Sequence, residues 1–231
     1  MLRPYACTSL GFDIWGKDKP RRFFGDKHWN EPVKWDKKAK AEGIRARVFC
    51  ASMADVFEDR RDLDPERERL WKLIEETDNL DWMLLTKRHD CIARFLPKEW
   101  LSKPRPNVWL GVTAENQRRA MERIPALLEV PAVVHWISAE PLLGPIDFSP
   151  WIRENGLSWI IVGGESGTDA RRMDPAWVTD IRRQCQAGKV AFHMKQKGRV
   201  LAAELGCQDR EGKDFKEWPQ EFQIQEFPQA V

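Results

Sequence analysis

The chain has 231 residues, and its 38 basic and 36 acidic side chains leave a net charge of only +2. That length suffices for one α/β domain with a sizeable core, since barrels of this class run to about 250 residues, and the balanced charge excludes the chain-wide basic footprint of a dedicated nucleic-acid binder. No apolar stretch approaches the ~18–20 residues that span a bilayer, and Met1–Tyr5 lacks the apolar core of a secretory signal, so a soluble cytoplasmic protein with no membrane partner is expected. Five cysteines (Cys7, Cys50, Cys91, Cys185 and Cys207), an odd number without a C-x-x-C pair, fit reduced thiols and not a disulfide framework. Twelve tryptophans against one tyrosine favour core packing over exposed stacking platforms.

In chain order, residues 1–46 are polar, rich in Trp and Lys, and without strand periodicity, an irregular exposed lead-in with a short helix. From residue 47 six apolar runs recur at a spacing of roughly 25–35 residues: 47–52, 82–87, 107–113, 133–138, 159–165 and 190–196. Each reads as a buried parallel strand. Between them lie helical segments with proline at the first helical position, after Asp64 for residues 66–76 and after Asp174 for residues 176–186. The serial βα pattern predicts one domain over 1–231: a partial parallel (βα) barrel core at 47–197, with a charged C-terminal extension at 198–231 that closes against the barrel end or a partner.

In parallel βα folds the carboxyl ends of the strands carry ligand and catalytic groups. Here the successive ends present Asp55 and Glu58, then Lys87, Arg88 and His89, then Glu115 and Asn116, then Glu140, then Glu165 and Ser166, then Lys195, Gln196 and Lys197. If the strands are adjacent, five carboxylates and several cations converge on one face. Gly163-Gly164-Glu165-Ser166-Gly167 stands out. Its glycines would let a ligand approach the backbone, and its amides suit an anion while Glu165 suits an ammonium or ribose hydroxyl. A tight turn would use the same glycines. The spacing is not the dinucleotide G-x-G-x-x-G, and Ser166 misses the nucleophile-elbow spacing by one residue. Pro141 forces Glu140 into an extended conformation at the strand tip, and Lys87-Arg88 suits phosphate or carboxylate recognition as well as a solvated pair. His135 and His193 lie within apolar runs and read as core groups. No H-E-x-x-H spacing marks a metal site.

The series 52–57, Leu85–Arg88, 106–112, Ser138–Leu143, Trp159–Gly167 and Lys195-Gln196 resembles a phage-associated family of uncharacterised three-cysteine-motif proteins, similar to radical S-adenosylmethionine enzymes. It covers most of residues 11–197. The resemblance implies a partial barrel with S-adenosylmethionine across the strand tips, Gly163, Gly164, Glu165 and Ser166 at the cofactor, and Asp55, Lys87, Arg88, Glu115, Glu140 and Lys195 shaping a substrate pocket. It also implies a [4Fe-4S] cluster held by C-x6-C-x2-C followed by Tyr-Ala-Glu. That motif is missing: Tyr5-Ala6 resembles its trailing residues, but only Cys7 lies nearby. Two expectations follow, a truncated radical enzyme or a degenerate barrel without cluster chemistry. A non-catalytic binding module for nucleic acid or a partner protein is the alternative. It rests on cations of 17–22 and 34–38 interleaved with Phe23, Phe24, Trp29 and Trp35.

Overall fold

A computed structural model describes Gly16 and residues 19–228, so Tyr5, Ala6, Cys7, Trp15 and Lys17 lie outside the described residues. The six strands are β1 (Ala46–Phe49), β2 (Leu80–Thr86), β3 (Val108–Thr113), β4 (Val134–Ala139), β5 (Trp159–Gly163) and β6 (Ala191–Gln196). They pair in chain order, every pair parallel. The sheet curls into a half-barrel with helices interleaved, as the βα spacing predicts.

Among the described residues, five helices have six or more residues: α1 (Glu31–Glu42), α2 (Asp64–Glu76), α3 (Gln117–Leu128), α4 (Pro175–Gly188) and α5 (Arg199–Glu204). Asn116 caps α3 by accepting the Arg119 N–H at 3.1 Å, and Asp174 caps α4 by accepting the Ala176 N–H at 2.9 Å. Each cap satisfies a donor left free by the first turn.

Strand alternation divides the apolar residues between two faces. Leu84, Leu110, Ile137, Ile160 and Met194 face the helices and join one core with Ile74, Ile124 and Ile181. Met83, Trp109, Trp136, Trp159 and Ile161 form a second cluster on the concave face. Trp136 lies so close to β3 that a Cβ on Gly111 would sit 2.4 Å from its ring, which accounts for glycine in the middle of a buried strand. Of the twelve tryptophans, eight are buried, Trp29 and Trp177 are partly buried, and Trp35 is exposed; Trp15 lies outside the described residues. Core packing dominates, as their number suggests.

Several boundaries differ from the sequence reading. β1 stops at Phe49 because the chain turns at Cys50 and Ala51 takes a φ of 53°. β2 begins at Leu80. β5 ends at Gly163, where the register against β6 shifts, so Gly164 and Glu165 leave the sheet as a loop. The lead-in is less irregular than expected. α1 is a twelve-residue helix that buries Ala39 in the helix-side core, and Asp36 accepts the Asn79 N–H at 2.8 Å. The extension closes the β6 edge: Ile224 O accepts the Met194 N–H at 2.8 Å, and Phe192 O accepts the Glu226 N–H at 2.9 Å. A covered edge strand is a protected one. Among the described residues no helix is long and apolar enough to cross a membrane.

Candidate functional site

The same alternation that sends Trp109, Trp136 and Trp159 into the bowl carries Lys87, Glu115, Glu140 and Lys195 onto that face at the carboxyl ends of β2, β3, β4 and β6, and Glu165 follows in the loop after β5. There the charges are paired. Lys87 Nζ donates to Glu115 Oε1 at 2.8 Å, Lys195 Nζ to Glu140 Oε2 at 2.7 Å, and Arg171 Nε and a terminal nitrogen to the two oxygens of Glu165 at 2.8 Å each. In each pair the acid sits low and the base stands at the rim. Side-chain exposure is 12, 18 and 26% for Glu115, Glu140 and Glu165, against 54, 51 and 58% for Lys87, Lys195 and Arg171.

Glu115 is the most strongly held. Burial pushes its carboxyl up, but the Lys87 hydrogen bond and charge, its own backbone and the Arg123 charge outweigh that and hold it at about 2. Arg123 reaches it from α3, 3.1 Å from Oε2, while also donating to the Thr113 hydroxyl at 2.7 Å. Arg171 holds the Glu165 carboxyl below the usual carboxylate range by hydrogen bonding, against the effect of burial.

Asp55, Glu58 and Arg88 form a separate network at the β1 and β2 ends. Arg88 donates to Asp55 at 2.7 Å and to Glu58 at 3.1 Å, Arg21 makes a bidentate contact to Glu58 at 2.6 and 2.8 Å, and the Thr86 hydroxyl donates to Asp55 at 2.8 Å. Asp55 also accepts the Phe57 N–H at 3.0 Å. The network ties the loop after β1 to the end of β2. Asp55 and Glu58 therefore support the site's rim.

The glycines are packed against protein. A Cβ on Gly163 would lie 3.2 Å from the Glu140 side chain, and one on Gly164 would lie 2.2 Å from the Lys197 carbonyl oxygen. Their lack of side chains lets Glu140 lie over β5 and lets the β5 and β6 loops touch backbone to backbone. Ser166 is exposed beyond them. The Glu140–Pro141 peptide bond is cis.

Sequence reasoning missed Arg123 and Arg171. A signal for the first existed, because Arg123 shares the apolar face of α3 with Ala120, Ile124 and Leu127, where a charge needs a partner. Arg171 lies in a loop with no periodicity to place it. His135 is a satisfied core group, its Nε2 2.7 Å from Val130 O, whereas the buried Nδ1 of His193 has no hydrogen-bond partner among the described residues. Among the described residues no three His, Cys, Asp or Glu side chains converge as a metal would require. Cys50, Cys91, Cys185 and Cys207 are free, and burial pushes the Cys50 and Cys185 thiols up to about 12. These residues do not fit an iron–sulfur cluster.

The family profile described as "Protein of unknown function (DUF5131)" matches residues 3–224. The chain belongs to the DUF5131 family. No curated protein and no solved structure matches it. The strand-tip motifs, from Lys87-Arg88 through Gly163–Gly167 to Lys195-Gln196, all fall within the DUF5131 match.

Proposed function

We propose that the bowl of this DUF5131 chain binds a zwitterionic amino-acid nucleoside of the S-adenosylmethionine type across the ends of β3 to β6. The observation that carries the reading is the set of three acid–base pairs on neighbouring tips, each with its cation half-exposed over a more deeply set acid. A ligand carrying both an ammonium and a carboxylate can enter such a pair without leaving a charge unmatched, its carboxylate taking the lysine or arginine and its ammonium the glutamate. Beside the tips, Phe49 is 44% exposed at the end of β1 and packs edge-on to Trp136 at 6.1 Å, an aromatic surface suited to a base.

The order of motifs along these tips is the one that resembles phage-associated, radical S-adenosylmethionine-like proteins, and that resemblance supports the choice of ligand class. The described cysteines do not fit a cluster, so the reading is of binding, with Glu165, Glu140 and Lys195 orienting the amino-acid portion and Lys87 and Glu115 facing the remainder of the bowl.

Calorimetric titration tests it. S-adenosylmethionine is expected to bind, adenosine to bind more weakly, and Glu165→Ala and Lys195→Met each to weaken the binding of S-adenosylmethionine. Equal affinity for adenosine and S-adenosylmethionine, or unchanged affinity in both variants, would overturn the reading.

A second reading, contact with nucleic acid, draws on Phe23 and Phe24, both exposed, with the Arg22 guanidinium 5.2 Å from the Phe24 ring centre and Trp35 exposed on α1. Binding to single-stranded nucleic acid that falls steeply with salt and is lost in Phe23→Ala/Phe24→Ala would support it. Salt-insensitive or absent binding would remove it.

A further inference from the structure

Directly after β6 the chain buries a lysine completely. Lys197 is 0% exposed, and its Nζ donates to the sulfur of Cys207 at 2.8 Å and to the carbonyl oxygen of Glu217 at 2.9 Å. Among the described residues no carboxylate pairs with it, which is unusual for a buried lysine. The enclosure is built around it. The Lys197 N–H donates to Gly212 O at 2.9 Å, and that carbonyl also accepts the Trp218 indole N–H at 3.0 Å. Gly212 takes a φ of 67°, and a Cβ there would lie 2.8 Å from Lys197 Cβ.

Cys207 is only half-buried. It lines a hollow of about 230 Å³ together with Arg199, Ala203 and Arg210. The sulfur thus meets a buried amine while its residue borders an open cavity with two arginines, the electropositive and partly accessible setting in which cysteines react with peroxides. The other described thiols differ: Cys185 is fully buried, and Cys50 and Cys91 have no hydrogen-bonded lysine.

We propose that Lys197 and Cys207 are a peroxide-responsive pair that closes into an Nζ–Sγ cross-link. The sulfur attacks one peroxide oxygen, the O–O bond breaks, and the other oxygen takes up the thiol proton and leaves as water, giving a sulfenic acid at Cys207. The Lys197 amine then attacks the sulfur. The N–S bond forms, the S–O bond breaks, and the departing hydroxide takes a proton from the nitrogen and leaves as a second water. The chain loses two hydrogens, and the two electrons taken from the pair reduce the peroxide. The nitrogen needs no search, because it already touches the sulfur. A thiol reductant reverses the link by attack on the sulfur. Once closed, the link fastens the 206–218 loop to the end of β6, beside the Gly164 backbone.

The test treats the full chain with hydrogen peroxide and maps peptides by mass under non-reducing conditions. The expected result is the Lys197 peptide joined to the Cys207 peptide, lighter by two hydrogens, separated by dithiothreitol, with Cys50, Cys91 and Cys185 unlinked. In Lys197→Arg the link is lost, and dimedone instead traps a sulfenic acid at Cys207. The wild-type map decides alone if that variant does not fold. Trapping of Cys207 by dimedone in the wild type without any link, oxidation at the other cysteines first, or a bridge that retains an oxygen would each overturn the proposal.

Discussion

The guanidinium of Arg47 lies 3.6 Å from the centre of the Phe227 ring, joining the first strand of the sheet to the C-terminal segment that follows β6. Phe227 also packs on Trp159 at 5.3 Å and on His193 at 5.1 Å. One ring therefore spans the mouth of the half-barrel between β1 and β6. Cation–π contacts at part-exposed sites are worth about 0.5–1 kcal/mol. A double-mutant cycle of Arg47→Ala and Phe227→Ala, read by urea unfolding, is expected to give a coupling of that size, and additive losses would show that the ring and the guanidinium act separately.

Gly111→Ala should be costly out of proportion to one methyl group. The new Cβ would meet the Trp136 ring at 2.4 Å, and neither the β3 backbone nor the indole, boxed by Trp109 and Trp159, has room to yield. Overpacking of this kind costs about 1–3 kcal/mol. Trp136→Leu made in the same chain is expected to recover part of the loss. A loss that Trp136→Leu leaves untouched would place the strain elsewhere.

Stability should fall in acid through Glu115. Its folded carboxyl is held at about 2, below its ordinary 4.5, so the unfolded chain takes up the proton first. The stabilisation is complete above 4.5 and is lost as pH falls towards 2. Urea midpoints of wild type and Glu115→Gln are expected to differ most at neutral pH and to converge on acidification. A difference that stays constant down to the acid limit would sink the assignment.

Asn116→Ala removes the side chain that accepts the Arg119 N–H at the start of α3. Loss of such a cap costs about 1 kcal/mol. Because α3 also carries Arg123 to Glu115, the variant is expected to lower the unfolding midpoint and to weaken the acid dependence of stability together. A lowered midpoint with an unaltered acid profile would separate the cap from the ion pair.

The fold was legible because its signals are local. Apolar runs at βα spacing, with Pro65 and Pro175 opening helices, place five of the six strands and the two helices they mark within a few residues. β1 is cut short by a turn at Cys50 and Ala51 that no glycine or proline announces. At the site, the charged strand ends were readable one at a time, but their pairing was not. Lys87 with Glu115 and Lys195 with Glu140 join residues 28 and 55 positions apart, a relation set by sheet curvature and not by spacing. The Gly163-Gly164 pair shows the same limit, since its glycines answer to the Glu140 side chain and the Lys197 backbone, neither of which is near in sequence to both.

The strictly consecutive strand order has a consequence for how the molecule is made. Every strand finds its partner in the segment synthesised just before it, so the sheet can lengthen one βα unit at a time as the chain emerges, with few long loops to close. The contacts of the C-terminal segment, among them Phe227 with Arg47 and Ile224 with Met194, come last. Assembly is thus a progression with a late clasp, and damage to the clasp should leave the six paired strands standing.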